Sequence, residues 1–357
     1  MFPFAVFPAY YSYDREDGRM QQNRALIRLD HIAENARSLK MRANGAKLCA
    51  VVKADGYGHG AAEAARALSG CADMYAVALV EEGMRLRLTC REDILVLVPP
   101  LTEGEALRGM LGGLIFTVGD AADLALVART AEKYSLSARC HLKVNTGMNR
   151  FGFDAPAFSE ISAGKMPRRV RIEGIYSHFY MPENAAAARL QYDKFLSLCG
   201  LAEKRFGRIT RHLAATGGLL ADPSYCLDMV RPGIGLYGYL PAGFAGTLPL
   251  KRAMSVRSSV VCSRPYVSGG AGYGRYSGSG HLTAVRCGYA DGFFRSGGLG
   301  NVNSLCMDAC LYSQKKEKYA EVCVLDDADA YAEKCGTISY EVLVRAAERA
   351  VKIYVGG

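Results

Sequence analysis

No C-x-x-C pair occurs in the 357 residues, and the nearest cysteines, Cys306 and Cys310, are too widely spaced for half of a zinc knuckle. No histidine pair stands near to complete such a site, so no metal centre is expected. Twelve cysteines in this length are too sparse for a disulfide scaffold. The expectation is reduced, mostly buried thiols in a cytoplasmic protein. No apolar run approaches the roughly 18 residues that a membrane-spanning helix needs, so no membrane is expected. The apolar start, Met1 to Tyr13, lacks a basic segment and a small-residue cleavage site and holds Pro3 and Pro8, which argues against a signal peptide. The net charge of +9 is dispersed, and its densest spots, Arg168–Arg171 and Lys315–Lys318, are not interleaved with aromatics. Nucleic acid is therefore not an expected partner, whereas anionic small-molecule ligands suit a mildly basic enzyme. With half its residues hydrophobic and 22% charged, the chain is an ordinary globular mixture rather than a disordered one.

What is present is an alternation. Eight apolar runs (Leu48–Val52, Met74–Val80, Ile94–Val98, Leu114–Val118, Cys140–Val144, Ile172–Tyr176, Ile209–Leu213 and Leu227–Val230) are separated by helical stretches such as Gly60–Leu68, Asp120–Tyr134 and Asn184–Arg205. Runs that are apolar almost throughout read as strands buried on both faces. Eight of them over about 200 residues is the count of a (β/α)8 barrel; a doubly wound open sheet is the alternative that pattern alone leaves open. After Pro249 the helical period gives way to short alternating runs joined by glycine-rich turns, until the last twenty residues. The expectation is a TIM-type barrel over 23–250, a smaller mainly-β domain over 251–357 ending in a helix, and an extension over 1–22.

The polar residues gather at the ends of these runs. Lys53 closes the first, Arg150 follows the fifth, His178 the sixth, Thr216 the seventh, and Arg231-Pro232-Gly233 the eighth. In a barrel all of these converge on the C-terminal face, where active sites form, and the last two loops are the usual phosphate site. Singly, a histidine after a strand is an ordinary core residue, and Arg150 or Arg231 an ordinary surface charge. Lys53 is different. Closing an apolar strand desolvates its amine and lowers its pKa, which is what a Schiff-base nucleophile requires. Gly56-Tyr57-Gly58-His59-Gly60 also mimics a dinucleotide-binding turn, but its G-x-G-x-G spacing matches that motif weakly.

Taken together these segments resemble the bacterial alanine racemases. Ala50 to Gly60 resembles that family's pyridoxal-phosphate attachment segment. His141 to Phe153, Asp228 to Gly238, Gly272-Tyr273-Gly274, Gly288 to Gly292, Cys306-Met307-Asp308 and Thr337 to Glu341 continue the likeness in order, from about residue 23 to the end. The resemblance implies an isomerase: a pyridoxal 5′-phosphate barrel plus β domain acting on an amino acid, assembled as a head-to-tail homodimer with shared sites. It implies that Lys53 attaches the cofactor and serves as one acid/base, with Tyr273 of a partner copy as the opposite one. It assigns the cofactor's phosphate to Tyr57, Thr216, Tyr340 and the backbone of Gly233 and Ile234. It sets Arg231 at the pyridine nitrogen, with His178 supporting Arg231 and Tyr273. Arg150 and Met307 would receive the substrate carboxylate, and Lys143 stands where some members carry a carbamylated lysine. Three departures stand out. Asn145 replaces the usual Asp, Ala215-Thr216 replaces Asn-Ser, and the span from Gly292 to Cys306 is short, with Asn303-Ser304 in place of Gly-Arg. The first expectation is therefore L-alanine/D-alanine interconversion. A serine or broad-specificity racemase, and a cofactor-binding paralogue with little or no activity, remain the alternatives.

Overall fold

The structure, a computed structural model, describes residues 23–302 and 304–357. The expected extension over 1–22 lies outside the described residues. The first strand, β1 (Arg24–Arg28), leads into helix Leu29–Arg42. The next eight strands are β2 (Lys47–Val51), β3 (Met74–Val77), β4 (Asp93–Val96), β5 (Ile115–Val118), β6 (Ala138–Lys143), β7 (Val170–Tyr176), β8 (Thr210–His212) and β9 (Met229–Val230). They form one parallel sheet in the order β8-β7-β6-β5-β4-β3-β2-β9. Its ends meet: the Asp228 N–H donates to the Arg211 carbonyl at 3.2 Å, and the Arg231 N–H to the Ala214 carbonyl at 2.9 Å. This closes the sheet into a barrel, as the eight apolar runs predict. β3 and β5 are buried at every position because side chains fill the barrel on one face and helices cover the other. Thr102, Asp120, Asp154 and Asn184 start the covering helices by accepting first-turn N–H groups.

The remaining strands are β10 (Met254–Tyr266), β11 (Gly270–Ala271), β12 (Gly274–Arg275), β13 (Gly280–Val285), β14 (Cys310–Tyr312), β15 (Glu321–Leu325) and β16 (Val351–Val355). A second sheet runs β14-β13-β10-β1-β16, with β15 also on β10, while β11 and β12 make a separate hairpin. Two details differ from the sequence reading. β1, expected with the barrel, belongs to this second sheet, antiparallel to β10 and parallel to β16. The expected terminal helix is not the last element: helices Ala328–Cys335 and Ser339–Ala346 both precede β16. Among its described residues, the short span from Gly292 to Cys306 holds the turn Arg295–Gly297 and isolated bridges from Gly300 and Leu305.

The second domain reaches back to the barrel mouth. Helix Ser339–Ala346 lies so close to the Lys53 loop that a Cβ on Gly58 would sit 2.5 Å from the Leu343 carbonyl oxygen. Lys352 on β16 pairs with Asp55. Among the described residues no helix is long and apolar enough to cross a membrane, and no group of three His, Cys, Asp or Glu side chains could hold a metal ion.

Candidate active site

A cavity of about 1000 Å³ opens at the C-terminal end of the barrel strands. Ten residues singled out from the sequence line it: Lys53, Tyr57, Lys143, Arg150, His178, Thr216, Arg231, Gly233, Ile234 and Tyr340. The other two do not. Tyr273 is 83% exposed at the tip of the β11–β12 hairpin, and Met307 is 52% exposed. The two lie on one edge, since a Cβ on Gly272 would meet Ser304 Oγ and Cys306 Sγ at 2.6 and 3.0 Å.

Lys53 begins a short turn in which Ala54, Asp55, Gly56, Tyr57 and Gly58 all have positive φ. The Ala54 N–H donates to Glu82 Oε1 at 2.7 Å, and Asp55 Oδ1 accepts from the Ala61 N–H at 2.9 Å. Burial lowers the Lys53 pKa, Arg150 adds to the effect and Glu82 opposes it. Lys143 is buried, with Nζ 4.7 Å from the Tyr176 ring centroid and 5.3 Å from that of Phe151. Its pKa falls to about 7, through burial first and then Arg231 and Arg150. Asn145 organises the loop that carries Arg150: its Oδ1 accepts the N–H groups of Gly147 and Asn149, and its Nδ2 donates to Asn149 Oδ1.

At the other end of the cavity, buried Thr216 opens helix Thr216–Ala221, and its Oγ1 accepts from the N–H groups of Gly233 and Gly235 at 3.4 and 3.3 Å. The first-turn N–H groups of that helix, and the Ile234 N–H that opens the turn Ile234–Tyr237, lack intrahelical acceptors and suit an anion. Tyr57 and Tyr340 stand beside this corner with ring centroids 6.0 Å apart. Burial raises both phenols, Tyr340 to about 12, so both are hydrogen-bond donors at neutral pH.

Arg231 crosses the barrel interior, 4% exposed. Its Nη1 donates to His212 Nδ1 at 2.8 Å, and its Nη2 to the carbonyls of Ser177 and Leu213 at 2.6 and 3.2 Å. The histidine hydrogen-bonded to Arg231 is His212, a residue the sequence reading did not name. β8, which adjoins the β9 segment at the barrel closure, delivers His212 to Arg231, while His178 lines the cavity. Burial first, and then the nearby cations Arg231, Lys143, Arg150 and Lys53, push the His178 pKa well below its ordinary value and keep it neutral. The sequence reading also missed His141, whose Nδ1 lies 2.9 Å from His212 Nε2. A signal existed: His141 and Lys143 are polar at alternate positions of one apolar run, which places both inside a barrel.

The buried side chains of the described residues include two cations, Lys143 and Arg231, and no carboxylate. Arg231 has only neutral acceptors, and two of its five N–H groups remain for a ligand. An uncompensated buried cation is costly, so the cavity favours a ligand with more than one anionic or acceptor group.

Comparisons agree with this chemistry. The family model "Alanine racemase, N-terminal domain" matches residues 27–241. The alanine racemase of Clostridium novyi is 31% identical, over 93% of this chain and 95% of its own length. That of Geobacter sp. is 34% identical, over 87% and 93%. Among solved structures, alanine racemase from the D-cycloserine producer Streptomyces lavendulae superposes with a TM-score of 0.85 at 29% identity, covering 94% of this chain and 97% of that one. The Bartonella henselae enzyme, solved with covalently bound pyridoxal phosphate, gives 0.83 at 25% identity, covering 94% and 100%.

Proposed function

We propose that this chain, which belongs to the alanine racemase family, interconverts L-alanine and D-alanine, with pyridoxal 5′-phosphate held in the barrel-mouth cavity. The observation that carries the reading is the convergence of ten sequence-predicted residues on that one cavity. The donor set fits the cofactor. Thr216, the Ile234 N–H beside Gly233, and the phenols of Tyr57 and Tyr340 suit a phosphate. Lys53, with its lowered pKa, suits covalent attachment of an aldehyde. Arg231 can only donate, so a ring nitrogen facing it must be the acceptor and stay unprotonated. The cofactor supplies stabilisation of negative charge at the substrate α-carbon. A muted electron sink of this kind favours return of the proton over side reactions such as transamination.

Racemisation takes a proton from one face of the α-carbon and returns it on the other, which requires two bases. Lys53 Nζ provides one. The tyrosines that line the cavity, Tyr57, Tyr176 and Tyr340, all have raised pKa values through burial and keep their protons. The resemblance to the alanine racemases supplies the second: Tyr273 of a partner copy in a head-to-tail homodimer, with Met307 of that copy beside the substrate. Arg150 orients the substrate carboxylate, and a carbamylated Lys143 orients Arg150. In a bacterial cytoplasm the D-alanine would feed cell-wall precursors. The test is purified protein loaded with cofactor and alanine in deuterated water. The expected result is visible absorbance together with α-proton exchange and inversion, both lost in Lys53→Ala. A protein that binds the cofactor yet exchanges no α-proton overturns the reading. Turnover of serine, lysine and arginine beside alanine reads the substrate range.

A further inference from the structure

The contact between His141 and His212 carries information that donor and acceptor counting makes explicit. A guanidinium has no acceptor, so His212 Nδ1, 2.8 Å from Arg231 Nη1, must be a bare lone pair. A neutral His212 then carries its proton on Nε2. That proton points to His141 Nδ1 at 2.9 Å, which must also be bare, so His141 carries its own proton on Nε2. Protonating either ring would set two donors against each other. The surroundings oppose this: both pKa values are depressed, by burial first, with Arg231 acting on both rings, Arg139 on His141 and Lys143 on His212.

The backbone is shaped for this contact. His141 lies on β6 and His212 on β8, with β7 between them. Gly174 of β7 stands opposite His141, and a Cβ there would lie 2.7 Å from the His141 Cε1 and Nδ1 atoms. A glycine inside a strand is otherwise unfavourable, and here it gives the imidazole its path. The β6–β7 register slips between Cys140 and His141, a device that re-aims a side chain. Tyr176 then lies flat on His212, with centroids 4.8 Å apart and planes 10° apart. Its hydroxyl donates to Thr117, whose own proton goes to the Val96 carbonyl.

We propose that His141 is a positioning residue: it fixes His212 as the Nε2–H tautomer, so that His212 offers Arg231 a bare Nδ1 and holds the guanidinium in one orientation. The consequence for catalysis rests on the reading above that Arg231 faces the cofactor ring; the tautomer chain does not.

The experiment labels the six histidines with 15N and reads the ring nitrogens by NMR, assigned through single replacements. In the unmodified chain, His212 and His141 are each expected to show a bare Nδ1 and a protonated Nε2. His141→Leu removes the acceptor. The buried His212 Nε2–H is then left without an acceptor, so the ring is expected to turn away from Arg231 in part of the molecules, which mixes its tautomers and lowers kcat by about tenfold or more at little-changed KM. More cofactor should then be lost to transamination per turnover. His141→Asn, whose Oδ1 takes the place of Nδ1, restores the single tautomer and most of kcat. A His212 proton found on Nδ1, or on both nitrogens, overturns the proposal. So does a His141→Leu protein with unchanged tautomer and kcat. If that variant does not fold, the spectrum of the unmodified chain still decides the tautomers. Expected tautomers in a protein that does not racemise alanine would overturn only the functional reading.

Discussion

Lys143 has its amine where water cannot solvate the charge. With a pKa of about 7, a large fraction is neutral at physiological pH, whereas the same amine in the unfolded chain titrates near its ordinary value of roughly 10.4. Between those values unfolding takes up a proton, so stability rises with pH across that window and the full penalty is present below about pH 7. In buffer free of carbon dioxide, the urea midpoint of the unmodified chain should therefore rise relative to Lys143→Met as pH goes from about 7 to about 9.5. Parallel curves would show that the amine is solvated. The neutral amine is also a nucleophile. It attacks carbon dioxide, forms an N–C bond and releases a proton, and the resulting anion lies within the field of Arg150 and Arg231. Incubation with 13C-bicarbonate at neutral pH or above should give a carbamate resonance that Lys143→Met lacks. A spectrum without it at saturating bicarbonate would remove Lys143 from the Arg150 mechanism. The residues legible in the sequence were those that close strands, such as Lys53 and Arg231, because a polar group at the end of an apolar run breaks the pattern. His141 and His212 were missed because they sit within or at the end of short strands, where a polar side chain reads as ordinary interior. Their partnership is a contact across β7 that no local pattern records.

At the scale of elements, the Lys53 turn is the most constrained piece of backbone. Ala54, Asp55 and Tyr57 adopt the left-handed region, at a cost of about 1–2 kcal/mol each. A frame over-determines them. Glu82 Oε1 accepts from Ala54, and Glu82 Oε2 accepts from the N–H groups of Ala78 and Leu79 at 2.7 and 3.1 Å, which joins the loops after β2 and β3. Lys352 anchors Asp55 from the other domain. Glu82→Gln keeps the size but leaves one acceptor oxygen for three N–H groups and turns an NH2 toward a donor. The expected cost is about 1–3 kcal/mol. It should appear as a lower urea midpoint together with slower incorporation of cofactor at Lys53. Unchanged stability and incorporation would show that the turn holds without Glu82. Barrel strands such as β3 and β5 were legible because burial on both faces makes their runs almost continuously apolar. β1 was not: Arg24-Ala25-Leu26-Ile27-Arg28 finds its partners at Met254–Arg257 and Val351–Val355, and pairing over that separation leaves no local trace. β16 follows two helices directly, so a helical texture near the C-terminus concealed a final strand.

At the scale of the whole molecule, one copy of the chain holds the cavity and a separate exposed edge, and the proposed chemistry needs both. Tyr273 stands at the tip of a hairpin whose strands are two residues each, outside the cavity of its own chain. A tip so placed has no catalytic use unless it enters the cavity of another copy. A closed two-fold assembly gives each copy the same exchange, cavity for tip. Lys53→Ala and Tyr273→Phe homodimers should each be nearly inactive in racemisation. Mixed at equal concentrations and allowed to exchange subunits, they place both defects in one site of the hybrid dimer and leave the other site intact. Half of the dimers are then hybrids with one working site of two, so activity should return to about a quarter of the unmodified level. If Tyr273 served its own chain, each hybrid site would carry one defect and no activity would return. Absence of recovery after exchange has been verified by mass would therefore sink the shared-site assembly while leaving the Lys53 chemistry standing.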